Sequence, residues 1–211
     1  MQSVDDQAPP VADPSPATQA QMPAHLSGAS AARNPAQDHR SIRVRPANDP
    51  EFGRIWIITA AQTLPRPFAE VFPFFADAYN LEKLTPPFLN FRVLTPKPID
   101  IRTGCIIDYS LRVHRVPLRW KTEILDWDPP HRFTDNQAKG PYALWHHTHS
   151  FEPIDHGRST LCTDTVSYRP RGGPLAPLIN RLFVQKDVQN IFRYRFEKLS
   201  EFFPQHDGRA S

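Results

Sequence analysis

The sequence predicts an α+β fold in which a curved antiparallel β-sheet wraps around one long C-terminal helix, with short helices after the first strand. A run of β-branched and aromatic residues comes first and is followed by short helical segments. Six further strand-like runs then follow one another with only turns between them, which is typical of an antiparallel sheet. An apolar repeat at helical spacing ends the pattern.

The first strand is predicted over 54–62, where isoleucine, tryptophan and threonine suit a pleated and partly buried segment. A short helix follows over 67–76, because apolar residues recur there at helical spacing and proline suits its first turn. A second short helix is predicted over 79–84, directly before Pro86 and Pro87.

Six strands are predicted next, each separated from its neighbours by proline or glycine. They span 88–95, 105–114, 118–127, 132–138, 142–151 and 160–168. The last element is one long helix over 174–203, in which large apolar residues recur three or four positions apart. A single straight helix leaves part of a concave sheet uncovered, so this arrangement predicts a cavity between the two.

The folded domain is predicted over 51–205, between a disordered N-terminal tail over 1–50 and a disordered C-terminus over 206–211. The tail is rich in alanine, proline, glutamine and serine, and its large apolar side chains stand alone. Such a segment cannot bury enough apolar area to offset the entropy lost on ordering. It is either a partner-binding or targeting segment or a passive extension.

Composition excludes several classes of function. The net charge of +3 is too small, and too little clustered, to predict nucleic-acid binding. No apolar run approaches the roughly 20 residues of a membrane-spanning helix, so no integral membrane association is predicted. Cys105 and Cys162 stand far apart in strand-like runs, which favours reduced thiols and, without a secretory signal, a cytoplasmic location. No nucleotide-binding or serine-hydrolase motif is present, and no cofactor is predicted.

Several stretches resemble the START-like, or SRPBCC, superfamily, which has the helix-grip fold. The matching stretches are 67–72, 80–91, 104–109 and 192–195, and 140–151 resembles the bacterial ligand-binding SRPBCC subgroup. The resemblance covers about 53–203. The superfamily includes polyketide cyclases, coenzyme-Q-binding proteins and plant pathogenesis-related ligand binders, so the resemblance implies a pocket for a hydrophobic ligand. It implies no catalytic residues, because ligands and reactions differ across the superfamily.

The most informative local feature is a strand with three histidines. Trp145, His147, His149 and Phe151 share one face of this strand, because side chains two positions apart point to the same side. His146 lies on the opposite face. Tryptophan and phenylalanine are large and apolar, so their face, with His147 and His149, is predicted to turn inward.

Neighbouring strands offer polar partners for these two histidines, namely Asp135, Gln137 and Asp164. Two imidazoles and a carboxylate could bind a metal, act as general base and orienting group, or form a hydrogen-bond network that anchors a ligand. No HExxH or similar signature is present, so no metal site is predicted. His147, His149 and Asp164 are candidates for catalysis, and no catalytic residue is assigned.

The pocket wall is predicted from strand alternation, although the same residues could instead be packed core. The predicted ligand-binding residues are Tyr109, Leu111, Trp120, Trp145, His147, His149, Phe151, Tyr168 and Phe183. Gly172 and Gly173 precede the last helix and form either a hinge that admits ligand or a tight turn.

The predicted function is the binding of a hydrophobic small molecule, such as a lipid, quinone or polyketide-like compound, between the sheet and the last helix. One alternative is an enzyme of the polyketide cyclase or dehydratase type that uses a pocket histidine as general base. A second alternative is an interaction protein with a vestigial pocket, whose tail or basic outer sheet face binds a partner. The oligomeric state is left open.

Overall fold

The structure, a computed structural model, describes residues 40–205. Its strands are β1 (Arg40–Asp49), β2 (Gly53–Leu64), β3 (Arg92–Val93), β4 (Ile106–Val113), β5 (Val116–Asp128), β6 (Arg132–Lys139), β7 (Tyr142–Ile154) and β8 (Ser159–Pro170). They form one antiparallel sheet in the order β1-β2-β8-β7-β6-β5-β4-β3. The predicted helix-grip, α+β fold is confirmed. The predicted disorder over 1–39 and 206–211 lies outside the described residues.

Strand β1 corrects the predicted boundary of the tail, because it lies inside the range 1–50. Its residues pair with β2 along the whole strand, from Arg40 opposite Gln62 to Asp49 opposite Gly53. Ile42 and Val44 lie on the same side of β1 and pack against the main apolar cluster. The average composition of residues 1–50 does not show this short segment, in which apolar and polar residues alternate.

The segment after the first helices also differs from its prediction. A strand was predicted over 88–95, but Pro87–Leu89 forms a 3-10 turn and only Arg92–Val93 pairs with β4. Asn90 lies between them in the left-handed region, with φ of 44°, which interrupts an extended run. β3 is therefore a short edge strand.

The helices lie where the sequence placed them, but the last one is not continuous. The helices are α1 (Phe68–Phe75), α2 (Leu81–Leu84), α3 (Ala176–Ile179) and α4 (Gln185–Phe202). A 3-10 turn over Gly173–Leu175 precedes α3, and a π-helical turn over Asn180–Val184 joins α3 to α4. A π turn holds one residue more per hydrogen-bonded ring than an α turn, so it shifts the apolar face between the two helices.

Helix α4 packs directly on one half of the sheet. Its apolar face meets the inward side chains of β2 and β8 in a cluster formed by Trp56, Ile58, Ala60, Val166, Tyr168, Val188, Phe192 and Phe196. At about 25 cal/mol per Å² of buried apolar surface, such a contact is a main source of stability. It fixes α4 over β2 and β8.

A second cluster closes one end of the space between α4 and the remaining strands. Phe72 of α1 lies with its ring centroid 5.5 Å from Phe151 of β7 and 5.5 Å from Trp127 of β5. Leu199 of α4 belongs to the same cluster. Register shifts also occur in β5, between Ile124 and Asp126, and at the start of β7, between Tyr142 and Leu144, and such irregularities bend a strand.

Within residues 40–205, no helix is both long and apolar enough to cross a membrane. Cys105 and Cys162 are free thiols. The cytoplasmic location inferred from them stays a prediction.

Candidate functional site

A cavity of about 660 Å³ lies between the sheet and the C-terminal helical segment. Alternate residues of β4 to β7 line one side, because every second side chain of a strand faces the same way. Residues from Ile179 to Arg195 line the other side, and residues from Phe74 to Phe91 close a third. The wall is mostly aromatic and aliphatic, so the cavity favours an apolar guest.

Seven of the nine predicted ligand-binding residues lie on the cavity wall. They are Tyr109, Leu111, Trp120, Trp145, His147, His149 and Phe183. Phe183 belongs to the π turn and is 54% exposed, so it lies at the open edge of the cavity. That these residues bind a ligand stays a prediction.

Phe151 and Tyr168 do not line the cavity, which corrects the prediction. Phe151 packs among the rings of Phe72, Phe75 and Phe133 where α1 covers the sheet. Tyr168 is fully buried in the cluster under α4. Both face inward, as the alternation required, but alternation does not distinguish a cavity wall from packed interior.

The register of three strands brings the predicted polar residues together. In the pairing of β6 with β7, Asp135 is directly opposite His147. In the pairing of β7 with β8, Asp164 is directly opposite His149. Residues that face each other across antiparallel strands have neighbouring side chains, so both carboxylates reach both imidazoles.

The distances define a compact buried cluster. His147 Nε2 lies 3.1 Å from Asp164 Oδ1, and His149 Nδ1 lies 2.7 Å from the same oxygen. On the other side, Asp135 Oδ2 lies 3.1 Å from His149 Nε2 and 3.6 Å from His147 Nδ1. Arg195 Nε lies 3.5 Å from Asp164 Oδ2. We call these five residues the polar cluster.

Arg195 is the member that sequence analysis missed. It was part of the matching stretch 192–195, but it was not named as a candidate site residue. Arg195 is 6% exposed, and it points from α4 to the sheet, where Nη2 lies 3.5 Å from His149 Nδ1. Its position among Val188, Phe192, Phe196 and Leu199 on the buried face was the available signal.

Gln137 does not join the cluster, although it was predicted as a possible partner. Its side-chain amide donates to the carbonyl of Tyr142, 3.0 Å away, and its side-chain oxygen accepts from the Tyr142 backbone N–H. It therefore stabilises the turn between β6 and β7.

The aspartates stay ionised despite their burial. Burial alone would raise the pKa of Asp164, but the nearby charges of Arg195 and His149 hold this pKa well below its usual range. Burial would likewise raise the pKa of Asp135, but the hydrogen bond from His149 and the charge of His147 lower it. Both groups are therefore acceptors, and their charges need partners within the cluster.

The pKa values of the two histidines shift in opposite directions. Burial and the like charge of His149 lower the pKa of His147, which favours its neutral form. Burial would also lower the pKa of His149, but Asp164 and Asp135 together raise it, which favours its charged form. Together with Arg195, a protonated His149 would offset the charges of the two buried carboxylates.

Packing fixes the ring orientations. The imidazole of His149 stacks on Phe133, with ring centroids 4.1 Å apart and planes at 21°. The ring centroids of His147 and His149 lie 3.8 Å apart. The His147 ring meets the rings of Trp145 and Phe192 at nearly right angles. Asp135, His147, His149 and Arg195 reach the cavity, whereas Asp164 lies behind the imidazoles. The cluster therefore forms one polar patch in an otherwise apolar wall.

Asp135, His147 and His149 are also spaced closely enough to share a metal ion. Each offers one ligand atom, and these atoms lie within 4.8 Å of one another. Imidazole nitrogen and carboxylate oxygen are common ligands of divalent transition metals.

An antiparallel sheet closed by a C-terminal helix around an apolar cavity defines a helix-grip protein with an internal cavity. The family described as polyketide cyclase / dehydrase and lipid transport matches residues 64–197, and the chain belongs to this family. The predicted relationship to START-like, SRPBCC proteins is confirmed.

Solved structures share this fold at low sequence identity. The ZhuI aromatase/cyclase from Streptomyces sp. R1128 is 15% identical with a TM-score of 0.57, over 73% of this chain and 98% of that chain. A protein from Thermus thermophilus is 17% identical with a TM-score of 0.53, over 69% and 98%. A START superfamily protein from Mycobacterium smegmatis is 10% identical with a TM-score of 0.51, over 69% and 98%. These identities indicate a common fold alone, and no curated protein sequence matches the chain.

Proposed function

We propose that the protein binds a hydrophobic small molecule, such as a lipid, quinone or polyketide-like compound, in the cavity. The observation that carries this proposal is the mostly apolar space of about 660 Å³ between the sheet and the helix. Pockets for small organic ligands typically measure about 300–1,000 Å³ and combine apolar walls with a few polar groups. The membership of the family supports the same function.

The polar cluster gives the ligand a preferred orientation. Arg195 Nε is buried and lies 3.5 Å from Asp164 Oδ2, and the Arg195 side chain belongs to the cavity wall together with Asp135, His147 and His149. A carbonyl, hydroxyl or anionic oxygen of the ligand would be stabilised beside these polar and charged groups in an otherwise apolar wall. The apolar remainder of the ligand would then contact Trp120, Trp145 and Leu111.

Two measurements on the purified full-length protein test binding. Native mass spectrometry of protein taken from cells should reveal a bound apolar compound. Titration with 8-anilinonaphthalene-1-sulfonate, which joins an apolar ring system to an anion, should show one saturable site. It should also change the fluorescence of Trp120 and Trp145, which line the cavity.

A matched pair of variants localises the site. Leu111→Trp adds volume from the wall of the cavity, and we expect it to weaken binding of the probe at least tenfold. Arg112→Trp places the same side chain on the exposed outer face of β4, and binding should not change. Equal binding by wild type and both variants would refute the cavity as the site.

A cyclase- or dehydratase-type enzyme is the second candidate, and the position of His147 favours it. Its Nε2 faces Asp164, which can orient the ring, and its Nδ1 is 3.6 Å from Asp135, beyond a hydrogen bond. If wild type converts a polyketone probe and His147→Gln binds that probe without converting it, catalysis is supported. Probe binding without turnover in wild type would leave binding alone.

A further inference from the structure

We propose that Asp135, His147 and His149 form a binding site for a divalent transition-metal ion in the wall of the cavity. The sequence predicted no metal site, because the ligands are not joined by a recognisable motif. They come from two neighbouring strands and meet only through the register that places Asp135 opposite His147. The inference concerns the cluster itself and does not require an organic ligand in the cavity.

The spacing of the donor atoms fits a coordination sphere. Asp135 Oδ2 lies 3.1 Å from His149 Nε2 and 3.6 Å from His147 Nδ1. Metal–ligand bonds of roughly 2.0–2.2 Å place adjacent ligand atoms about 3–3.5 Å apart. All three ligand atoms lie within 4.8 Å of one another, so side-chain movements that bring the two imidazole nitrogens closer together would let one ion contact all three.

Asp164 supports the two imidazoles from behind. Its Oδ1 lies 3.1 Å from His147 Nε2 and 2.7 Å from His149 Nδ1, so the nitrogen of each ring that faces away from Asp135 meets the same carboxylate. Metal-binding histidines usually donate their second N–H to a carboxylate or carbonyl, which fixes the tautomer and the ring orientation. This contact commits His147 Nδ1 and His149 Nε2 to the metal.

The charges around the site also suit a cation. Arg195 pairs with Asp164 rather than with Asp135, since its Nε is 3.5 Å from Asp164 Oδ2. Asp135 is thus left as the carboxylate that faces the ion. His146 lies on the opposite face of β7 and offers no ligand from that side. The ion would displace the proton that His149 Nε2 shares with Asp135, since a metal ligand must be deprotonated.

Two imidazoles and one carboxylate favour ions such as Fe²⁺, Co²⁺ or Zn²⁺ over Mg²⁺ or Ca²⁺, which prefer oxygen ligands. Three protein ligands leave at least one coordination position open. All three residues line the cavity, so that position faces the space in which a guest would lie. The bound ion would take an oxygen atom of water or of a cavity ligand.

Titration of the full-length protein with Co²⁺ tests the site directly. The protein is first treated with a chelator and then titrated while visible absorption is recorded, since Co²⁺ bound by nitrogen and oxygen gives d–d bands. We expect one ion per chain and competition by Zn²⁺. Circular dichroism of each variant checks that the sheet is retained.

Matched variants assign the ligands. Asp135→Asn and His147→Gln each remove one ligand while keeping the size of the side chain, and we expect at least tenfold weaker binding of Co²⁺. Asp164→Asn keeps all three ligands and should weaken binding by about 10–100-fold through loss of orientation. His146→Gln removes an imidazole from the other face of the same strand and should bind as wild type does.

Absence of Co²⁺ and Zn²⁺ binding at millimolar concentration by folded wild-type protein would overturn the inference. Binding that Asp135→Asn leaves unchanged, or that His146→Gln abolishes, would also overturn it. The fluorescent-probe titration is run on the same metal-free samples. Loss of the metal site with retained probe binding would leave the proposed function intact, and the reverse result would overturn that function alone.

Discussion

Arg195 is the residue on which the stability of the polar cluster depends most. It is the cation from α4 that faces Asp164, and both side chains are buried. Removing one partner of a buried ion pair typically costs about 3–5 kcal/mol, because the other charge stays buried without compensation. We therefore expect Arg195→Met, which keeps the length of the side chain, to lower the free energy of unfolding in urea by about this amount.

Two further variants test this assignment. Arg193→Met removes an exposed arginine two residues earlier in α4 and should change the free energy of unfolding by less than about 0.5 kcal/mol. Adding Asp164→Asn to Arg195→Met removes the uncompensated carboxylate charge of Asp164 and should recover part of the lost free energy of unfolding. Equal destabilisation by Arg193→Met and Arg195→Met would contradict the role of the ion pair.

The sequence could predict which residues of β7 face inward, but not all of their partners. His147 and His149 follow from the two-residue period of a strand. Asp135 and Asp164 were accessible as neighbours because an antiparallel order of strands was predicted. Arg195 was not, because its burial depends on how α4 lies over the sheet, and helical periodicity alone favours keeping an arginine in water.

At the scale of elements, β1 is an edge strand whose attachment depends on few side chains. Ile42 and Val44 are the apolar residues of β1 that pack on the main cluster. Val44 is half-buried. Replacing it with a charged residue should weaken attachment of the strand by about 1–2 kcal/mol, which is about the free energy gained by burying a valine side chain. We expect Val44→Asp to accelerate hydrogen–deuterium exchange over Arg40–Asp49, as measured by mass spectrometry of peptic fragments.

The neighbouring position provides the control for β1. Arg43→Asp introduces the same side chain on the exposed face, and exchange over β1 should stay slow. Exchange over β7 and β8 should not change in either variant. A similar acceleration in both variants would mean that charge, rather than packing, holds the strand.

The turn before α3 is the second element with a sharp prediction. Gly172 has φ of 128°, and a Cβ atom there would lie 2.5 Å from Cδ1 of Ile179, a residue of the cavity wall. Alanine is strained at this φ, and the end of the Ile179 side chain must also move aside, so we expect Gly172→Ala to lose about 1–3 kcal/mol in thermal or urea unfolding, mostly from the backbone.

Gly173 is the matched position for this test. Its φ is 53°, and a Cβ atom there would meet no atom within 4 Å. Asparagine tolerates this left-handed conformation, so Gly173→Asn should cost less than about 1 kcal/mol. If Gly172→Ala is tolerated as well, the turn moves freely, and the predicted hinge would gain support over a tight turn.

A comparison of the elements shows which of them the sequence patterns could predict and which they could not. Five of the six strands after the short helices were predictable, because glycine and proline separate them, whereas only Arg92–Val93 forms a strand within the range 88–95. β1 was missed because its ten residues follow a polar, proline-rich segment. The π turn over Asn180–Val184 was missed because Leu182 and Phe183 continue the apolar repeat, although the structure leaves both more than half exposed.

At the scale of the whole molecule, one part of the sheet packs directly on α4 and the other part is separated from it by the cavity. β2 and β8 pack on α4 and form the solid part of the interior, whereas β4 to β7 face α4 across the cavity. The packed half supplies stability, and the open half leaves room for a guest without weakening that contact. A fold of this kind can change its cavity wall with little effect on its core.

At the open edge of the cavity the two halves meet through His114, whose ring centroid lies 6.3 Å from that of Phe183. His114, in the tip between β4 and β5, lies with Nε2 2.9 Å from Asp187 Oδ2 at the start of α4. Both residues line the cavity, and their side chains are 62% and 36% exposed. An exposed pair contributes only about 0–1 kcal/mol to stability, but any exit of a guest past this edge must break it.

We therefore expect Asp187→Asn to leave the free energy of unfolding within about 1 kcal/mol of wild type while it accelerates release of a bound fluorescent probe. Losing about 0.5–1 kcal/mol of contact from the closed state corresponds to a roughly two- to fivefold faster release. Stopped-flow displacement of the probe measures this rate. Lys186→Gln, an exposed change at the adjacent residue, should release the probe at the wild-type rate. Unchanged release in Asp187→Asn would mean that the guest leaves elsewhere, past the segment Phe74–Phe91 on the other side of the cavity.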